Sequence, residues 1–248
     1  MVMVMKNGIY FTLKFKELFS GVLTGCLIIS FILFIATSKV GISASTGNLT
    51  ASIKQLIIID AGHGGEDGGT VSSKGVVEKH INLQISNKMK YITELCGYRI
   101  LMTRTEDKLI YDESSSAMRD KKVSDLHNRL KIAENNPDGI FLSIHQNYFT
   151  ESKYWGAQVF YSDNNPESKI LADSIQNSVR NHLQKDNNRK IKKSGKEIFL
   201  LHNIKSPAVM VECGFMSNPS EALRLEDNKY QIKMVLSIVD GINKYLYV

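Results

Sequence analysis

The sequence has only three cysteines in 248 residues, and they lie far apart at Cys26, Cys96 and Cys213. Secreted domains that depend on disulfides are dense in cysteine, so this composition excludes a disulfide scaffold. We therefore expect Cys96 and Cys213 to be small buried apolar side chains that do not bridge. The sequence also lacks an internal repeat, which excludes a repeat architecture.

A strong excess of positive charge is absent as well. The formal net charge is +6, and the first fifty residues, with four lysines and one glutamate, carry half of it. The rest of the chain is only mildly basic. This balance excludes nucleic acid as the expected partner and allows only a weak attraction to an anionic polymer.

One long apolar run is present, because the 21 residues from Leu18 to Ser38 carry no charge. A run of this length spans a bilayer as a helix. Three lysines precede it and place residues 1–17 on the cytoplasmic side. We therefore predict a membrane anchor, with the remainder of the chain outside the cytoplasm. A cleaved signal peptide is the alternative, since small residues such as Ala36 suit a cleavage site.

Residues 39–52 are small and polar and are typical of a linker. Residues 53–248 then form one domain that is long enough to bury a full core. In this domain apolar runs alternate with amphipathic stretches, which predicts an α/β fold with a mostly parallel sheet covered by helices on both faces. The predicted strands span 56–59, 98–103, 140–145, 156–162, 198–202 and 208–213. The predicted helices span 78–97, 124–136, 166–185 and a last region from 219, and 104–123 is predicted to be a surface loop.

The first predicted strand runs into a glycine-rich stretch, LIIIDAGHGGEDGGT, at residues 56–70. Its five glycines do not form a phosphate-binding loop, because the G-x-G-x-x-G spacing fails at Asp67 and the Gly-Lys-Ser/Thr of a P-loop is absent. Glu66 and Asp67 also repel phosphate. The informative residue is His63, which follows the carboxyl end of a strand, where α/β folds place their sites.

The apolar runs of three predicted strands lead to metal-competent side chains, at His63, His145 and Glu212. The carboxyl ends of parallel strands meet at one edge of a sheet, and Glu78 begins the helix after the glycine-rich stretch, so all four lie near this edge. Two imidazoles and one carboxylate are a catalytic zinc set with a position open for water. A second carboxylate then accepts a proton from that water. From spacing alone, the two glutamates are interchangeable in these roles.

Competing interpretations apply to these residues. A single histidine at a strand end is more often a hydrogen-bonded structural residue than a ligand. The metal site is therefore predicted from two such histidines together with matching carboxylates, and not from either histidine alone. The other nearby carboxylates are Asp60, Glu66 and Asp67. The histidines with weaker claims are His80, His127, His182 and His202. The H-E-x-x-H motif is absent, which excludes a helix-borne metalloprotease site.

Five stretches occur in order along the domain: IIIDAGHGG, a glutamate fifteen residues after its histidine, FLSIHQN, SPAVMVECGFMSNPSEA and GINKY. Together they resemble the zinc-dependent N-acetylmuramoyl-L-alanine amidases of the Amidase_3 type over about residues 53–247. The resemblance implies that His63, Glu78 and His145 bind zinc and that Glu212 is the catalytic base. It also implies a phosphorylase/hydrolase-like α/β sandwich with a central six-stranded sheet.

The resemblance further implies an activity and substrate contacts. The family hydrolyses the amide between N-acetylmuramic acid and L-alanine of the stem peptide, so peptidoglycan is the implied partner and one Zn²⁺ the implied cofactor. Asn147 and Arg129 are the implied substrate contacts, with a structural role as the alternative for Arg129. Two positions depart from the family pattern, Gln146, where alanine is common, and Cys213, and neither is an implied ligand.

The sequence shows neither wall-binding repeats nor an inserted autoinhibitory helix. A minimal domain behind an N-terminal apolar segment resembles the spore-cortex type of amidase of endospore-forming Firmicutes, which strips stem peptides so that muramic-δ-lactam forms. This resemblance implies an extracytoplasmic location, either membrane-anchored or secreted, with the forespore intermembrane space as one such location. The alternatives are a general cell-wall amidase, a zinc carboxypeptidase acting on stem peptides, and a non-catalytic peptidoglycan-binding module. A minimal domain also predicts a protein partner for targeting or activation.

Overall fold

The computed structural model describes residues 2–6, 9–13, 55–113 and 116–247. The chain divides into two compact units, Met1–Thr50 and Ala51–Val248. In the first unit, β1 (Val2–Lys6) and β2 (Ile9–Leu13) pair in an antiparallel manner. The predicted anchor and the predicted linker lie outside the described residues. Among the residues that are described, no helix combines the length and the apolar character needed to cross a membrane.

The second unit is built on a six-stranded sheet. Its strands are β3 (Leu56–Ala61), β4 (Arg99–Met102), β5 (Ile140–Asn147), β6 (Gln158–Tyr161), β7 (Lys192–Lys193) and β8 (Ala208–Phe215). Their order across the sheet is β4-β3-β5-β8-β6-β7. Only the β6–β8 pair is antiparallel, which confirms the predicted six-stranded, mostly parallel sheet.

Helices cover both faces of this sheet, as predicted. They are α1 (Glu78–Leu95), α2 (Met118–Glu134), α3 (Glu167–His182), α4 (Phe199–Asn203), α5 (Pro219–Glu226) and α6 (Asn228–Leu246). Along β3, Ile57 and Ile59 belong to the larger core cluster with α1, α3 and α6. Ile58 belongs to a smaller cluster with α2 and α4. Successive strand residues point to opposite faces, so an uninterrupted run of isoleucine indicates a strand that is covered by helices on both faces of the sheet.

Residues 198–202 do not form the predicted strand. They contribute to the short helix α4, in which Leu200 and Leu201 are buried in the smaller cluster. A run of four apolar residues followed by a histidine fits either element, and periodicity alone does not separate the two. The sixth strand is β7, whose two lysines carry no apolar pattern that would reveal a strand.

Helix α2 begins at Met118 and not at Ser124, so the predicted loop over residues 104–123 is shorter than expected. The first helical residues lack an apolar period, although methionine, arginine and lysine are good helix formers. Two of them contact the glycine-rich stretch, because Lys121 pairs with Glu66 and Lys122 with Asp67, each at 2.7 Å. These tertiary contacts hold a helical turn that apolar spacing does not predict.

The two cysteines of the domain differ in burial. Cys213, on β8, is fully buried as predicted, whereas the prediction for Cys96 is wrong because that residue is exposed. Cys96 is the C-cap of α1, and Gly97 follows with a φ of 82°. A left-handed glycine ends a helix without steric cost, so α1 ends where the sequence predicts and leaves Cys96 at the surface.

Candidate metal centre and active site

Four predicted residues meet at the carboxyl edge of the sheet. His145 and Glu212 are register partners on β5 and β8, His63 follows β3, and Glu78 begins α1. His63, Glu78 and His145 each place one ligand-type atom within 4.8 Å of the others. The fold therefore assembles a group of side chains that can hold a metal ion.

Glu78 Oε1 lies between the two imidazoles. It is 3.3 Å from His63 Nε2 and 3.1 Å from His145 Nδ1. Ligand atoms at zinc–ligand distances of about 2.0–2.1 Å lie about 3.3 Å apart around a tetrahedral ion, so these separations suit zinc. The Glu78 side chain is 2% exposed, whereas His63 and His145 keep 24% and 17% of their side-chain exposure. The carboxylate of the group is thus buried in the protein, while its two imidazoles are partly accessible to solvent.

Apart from the contacts with the two imidazoles, four hydrogen bonds hold the Glu78 carboxylate. Oε1 accepts from the backbone N–H of Gln146 at 3.1 Å and from Asn82 Nδ2 at 3.2 Å. Oε2 accepts from the backbone N–H and the hydroxyl of Thr70, at 2.9 and 3.1 Å. Burial opposes ionisation, but His145 and His63 hold the pKa of Glu78 well below its usual range. Glu78 is therefore a charged and oriented carboxylate, as a metal ligand has to be.

The glycine-rich stretch holds His63 in an uncommon conformation. Its φ of 61° lies in the left-handed region, which few non-glycine residues adopt. The Nδ1 atom lies 2.8 Å from Asp67 Oδ2, which leaves Nε2 directed at Glu78. Burial favours the neutral ring, but the carboxylates of Asp67 and Glu78 raise the pKa of His63 to about 9. A cation that binds here at neutral pH has to displace a proton.

Two glycines allow the ligand-type side chains to approach the backbone. A Cβ on Gly62 would lie 2.2 Å from His145 Nε2, and one on Gly69 would lie 2.6 Å from Glu78 Oε2. Gly69 also has a φ of 70°. No side chain is tolerated at either position without displacing a member of the cluster. The glycines of this stretch therefore serve the packing of histidine and carboxylate groups.

Glu212 lies beside this cluster but is held differently from Glu78. Its Oε2 is buried and has no hydrogen-bond partner among the described residues. Burial raises the pKa of Glu212 to about 7, opposed by the His145 imidazole. A carboxyl group with an unbonded oxygen and a pKa near neutrality is suited to accept and return a proton. Geometry thus distinguishes the two glutamates that spacing leaves interchangeable.

Arg129 lies beneath the site and not in it. The residue is 1% exposed, and its guanidinium donates to Asp60 at 2.6 Å and to Asp125 at 2.7 Å. It also donates to the backbone oxygens of Ala61 and His63, both at 2.8 Å. These four partners take up the guanidinium N–H groups that Arg129 would need for the predicted contact with the substrate. The burial therefore assigns Arg129 a structural role under the glycine-rich stretch.

The remaining candidate residues lie elsewhere or assist the cluster indirectly. Asp60 is buried and accepts from Ser143 at 2.6 Å and Thr103 at 2.8 Å, below the site. Glu66 is tied to Lys121, and Asp67 orients His63. Four histidines are exposed outside the cluster, namely His80, His127, His182 and His202. Asn147, at the end of β5, is partly exposed and lines a cavity beside the cluster.

Sequence reasoning missed Asn82 and Thr70. Asn82 is one helical turn after Glu78, and its Nδ2 donates both to Glu78 Oε1 and to the backbone oxygen of Gly62, each at 3.2 Å. The i, i+4 spacing of two polar residues on an apolar helix face was an available signal. Gln146 Nε2 donates in turn to Asn82 Oδ1 at 3.1 Å. No spacing signal marks Thr70, whose loop is placed by the fold.

Comparisons with known proteins show which family and which relatives the chain resembles. A family model described as N-acetylmuramoyl-L-alanine amidase matches residues 57–244. Over 191 residues the chain is 34% identical to a germination-specific N-acetylmuramoyl-L-alanine amidase of Bacillus subtilis, a match that covers 77% of this chain and 79% of that protein.

Solved structures show the same likeness. The CwlD amidase from Clostridioides difficile, in complex with the GerS lipoprotein, matches with a TM-score of 0.74 and 39% identity, covering 78% of this chain and 98% of that chain. The amidase AmiC2 of Nostoc punctiforme matches with a TM-score of 0.67 and 29% identity, over 78% of this chain and 98% of that one. The described domain is therefore similar to these proteins over nearly their whole length.

Proposed function

The chain belongs to the N-acetylmuramoyl-L-alanine amidase family, and we propose that it uses one zinc ion to hydrolyse the amide between N-acetylmuramic acid and L-alanine in peptidoglycan. In this proposal His63, Glu78 and His145 hold the ion, and Glu212 is the catalytic base. The observation that carries it is the contrast between the two glutamates. Both carboxylate oxygens of Glu78 accept hydrogen bonds, whereas the buried Oε2 of Glu212 has no hydrogen-bond partner among the described residues.

The protein's own groups account for the proton transfers. When bound, zinc polarises the scissile carbonyl and lowers the pKa of water. Glu212 accepts a proton from the attacking water at Oε2 and delivers it to the nitrogen of the leaving L-alanine. A general acid–base group of this kind contributes about 10²–10⁴-fold in rate. Asn147, partly exposed at the end of β5, is proposed to contact the substrate beside the reacting bond.

The proposed biological setting is the spore cortex, where removal of stem peptides allows muramic-δ-lactam to form. It is supported by the germination-specific relative and by the CwlD structure. A general role in the cell wall is the second candidate, favoured by the similarity to a probable cell wall amidase, LytH, of Staphylococcus epidermidis at 26% identity. Analysis of spore muropeptides from a deletion strain separates the two, since only the first predicts loss of muramic-δ-lactam.

We further propose that the enzyme acts outside the cytoplasm, in the forespore intermembrane space, held at a membrane by residues 18–38 or released by their cleavage. The solved CwlD structure contains the GerS lipoprotein, which supports a protein partner for this chain as well. Fractionation with an antibody against the domain tests the location. Recovery of the full-length chain in the cytosolic fraction would contradict both versions.

Product analysis by mass spectrometry tests the reaction itself. An amidase frees the whole stem peptide with a new L-alanine amine, a carboxypeptidase frees a terminal residue, and a binding module frees nothing.

Elemental analysis of the same preparations tests the metal. We expect one zinc per domain, lost together with activity in His63→Ala and His145→Ala. Full zinc occupancy in both variants would contradict the assignment of the ligands.

A further inference from the structure

A cavity of about 360 Å³ lies next to the proposed catalytic group, and its walls combine aromatic rings with two cations, Arg189 and Lys192. Asn147, on its wall, is two residues beyond His145 on β5. Phe215, also on its wall, is three residues beyond Glu212 on β8. At about 3.3 Å per strand residue, the cavity begins roughly 7–10 Å beyond the metal cluster. That is the reach of about two to three extended peptide residues from the reacting bond.

Arg189 is held over aromatic rings with part of its guanidinium unused. Its carbon Cζ lies 4.3 Å from the centroid of the Phe215 ring and 5.8 Å from that of Tyr154. Nε donates to the backbone oxygen of Trp155 at 2.8 Å, and Nη1 donates to Gln158 at 3.2 Å. Within the described part of the chain, Nη2 has no acceptor and no carboxylate lies within ion-pair distance of Arg189. A guanidinium placed in this way keeps donors for an incoming anion.

The surrounding backbone fixes the position of Arg189. Arg180 donates from Nη2 to the backbone oxygen of Arg189 at 3.0 Å and from Nε to that of Asn187 at 2.9 Å. Asn187, 2% exposed, accepts from the Arg189 N–H at 3.0 Å and donates to the Ala157 oxygen at 2.8 Å. The cation is therefore built into a bonded segment, and ligand binding does not have to order it.

The charges around the cavity are of one sign. Lys192 is exposed, with its Nζ 5.5 Å from the centroid of Phe160, and it forms no ion pair with a described residue. The carboxylate that acts on Arg189 electrostatically is Glu221. Glu221 is fully buried and accepts from the backbone N–H groups of Gly156 and Phe215, so it is not available at the cavity surface. The cavity thus presents two unneutralised cations.

We propose that this cavity is the stem-peptide subsite and that Arg189 binds a carboxylate of the residue that follows L-alanine. The inference rests on the proposed amidase function, because it places that residue by its distance from the scissile bond. The planar guanidinium matches a carboxylate with two parallel donors, and its hydrogen bonds to an anion are about twice as strong as neutral ones. The aromatic rings exclude water from one face of the guanidinium–carboxylate pair.

Two synthetic substrates of equal size test the proposal on the zinc-loaded full chain. They are N-acetylmuramoyl-L-Ala-D-Glu with its γ-carboxyl capped as a methylamide and its α-carboxylate free, and the same compound with the α-carboxyl converted to an amide. We expect kcat/KM to be about 10–100-fold higher for the acid in the wild-type protein, mainly through KM. Arg189→Gln removes most of this preference, because kcat/KM falls much more for the acid than for the amide. Arg189→Lys keeps only part of the preference for the acid, because an ammonium group lacks the two parallel donors of the guanidinium.

Lys185→Gln is the matched control, because Lys185 is exposed and does not line the cavity. Zinc content and thermal melting check each variant. Should Arg189→Gln fail to fold, Lys192→Gln reports on the same cavity, and a smaller loss of preference of about 3-fold is expected from its exposed charge. Equal rates for both substrates in the wild-type protein would overturn the subsite and leave the amidase activity standing. Cleavage of neither substrate would instead count against the proposed function.

Discussion

Glu212 of β8 lies directly opposite His145 of β5 in the parallel register of the sheet. Residues paired in this way project to the same side, so the proposed base is positioned by the same two strands that position a proposed ligand. Their relative placement does not depend on a loop. The chemistry that follows from this pairing is open to direct measurement.

Replacing the two glutamates separates ligand from base. We expect Glu212→Gln to keep its zinc and to lose at least ~100-fold in turnover, because the amide cannot accept a proton. Glu78→Gln should lose zinc, because a neutral amide is a poor partner for the ion. Zinc content and peptide release are measured on both variants. Loss of zinc in Glu212→Gln with retention in Glu78→Gln would show that the two roles are reversed.

Zinc affinity should depend on pH through His63. Asp67 and Glu78, acting against burial, raise the pKa of His63 to about 9. Zinc requires the unprotonated ring, so the association constant should rise about tenfold per pH unit from pH 6 to 8. Competition with a fluorescent chelator measures it. Asp67→Asn removes one of the charges that hold the proton, and its slope should be shallower. An affinity that does not change with pH in the wild-type protein contradicts the assignment.

The metal-free protein should be stabilised by Glu212→Gln at neutral pH. Burial raises the pKa of Glu212 from 4.5 to about 7, so the folded state binds more protons than the unfolded state in this interval. Stability is therefore lost as pH rises from about 4.5 to 7, by about 1–3 kcal/mol. We expect Glu212→Gln to melt at a higher temperature at pH 8 and to gain little at pH 4.

The control for this measurement is Glu134→Gln, because Glu134 is exposed at the last residue of α2 and makes none of the contacts described for the site. Its melting temperature should change little at either pH. A Glu212→Gln variant that melts like the wild-type protein at pH 8 would show that the carboxylate carries no burial cost.

Asn82 should tune the metal site without touching the ion. Its Nδ2 donates to Glu78 Oε1, and Gln146 holds its oxygen in place. Removing such a partner of a ligand typically lowers metal affinity by about 10–100-fold, which we expect for Asn82→Ala by chelator competition. Gln146→Ala should act in the same direction with a smaller effect.

Ser86→Ala is the matched control for Asn82, because Ser86 is also fully buried on α1 and its hydroxyl has no partner among the described residues. It should leave zinc affinity unchanged. Equal losses of affinity in Ser86→Ala and Asn82→Ala would mean that the effect comes from helix packing and not from the bond to Glu78.

Sequence patterns alone predicted the two-faced α/β sheet, because the apolar run of β3 and the spacing of α1 depend only on local periodicity. They also predicted that His63, Glu78, His145 and Glu212 converge, since strand ends of a parallel sheet share one edge. They failed for α4 and β7, where a short run has no period to read, and for the first turn of α2, which is held by contacts to the glycine-rich stretch.

Only the tertiary structure decided what each side chain at that edge experiences. The sequence by itself determined that two glutamates come near two histidines, but their roles depend on which carboxylate oxygens receive hydrogen bonds. Glu78 receives four, from residues between 70 and 146, and Glu212 keeps Oε2 without a described partner. The burial of Arg129 and the lack of an ion-pair partner for Arg189 among the described residues were decided in the same way. The hydrogen bonding and desolvation of a side chain depend on neighbours that are distant in sequence. Because they determine the protonation state of each carboxylate, they also determine the chemical role it can take.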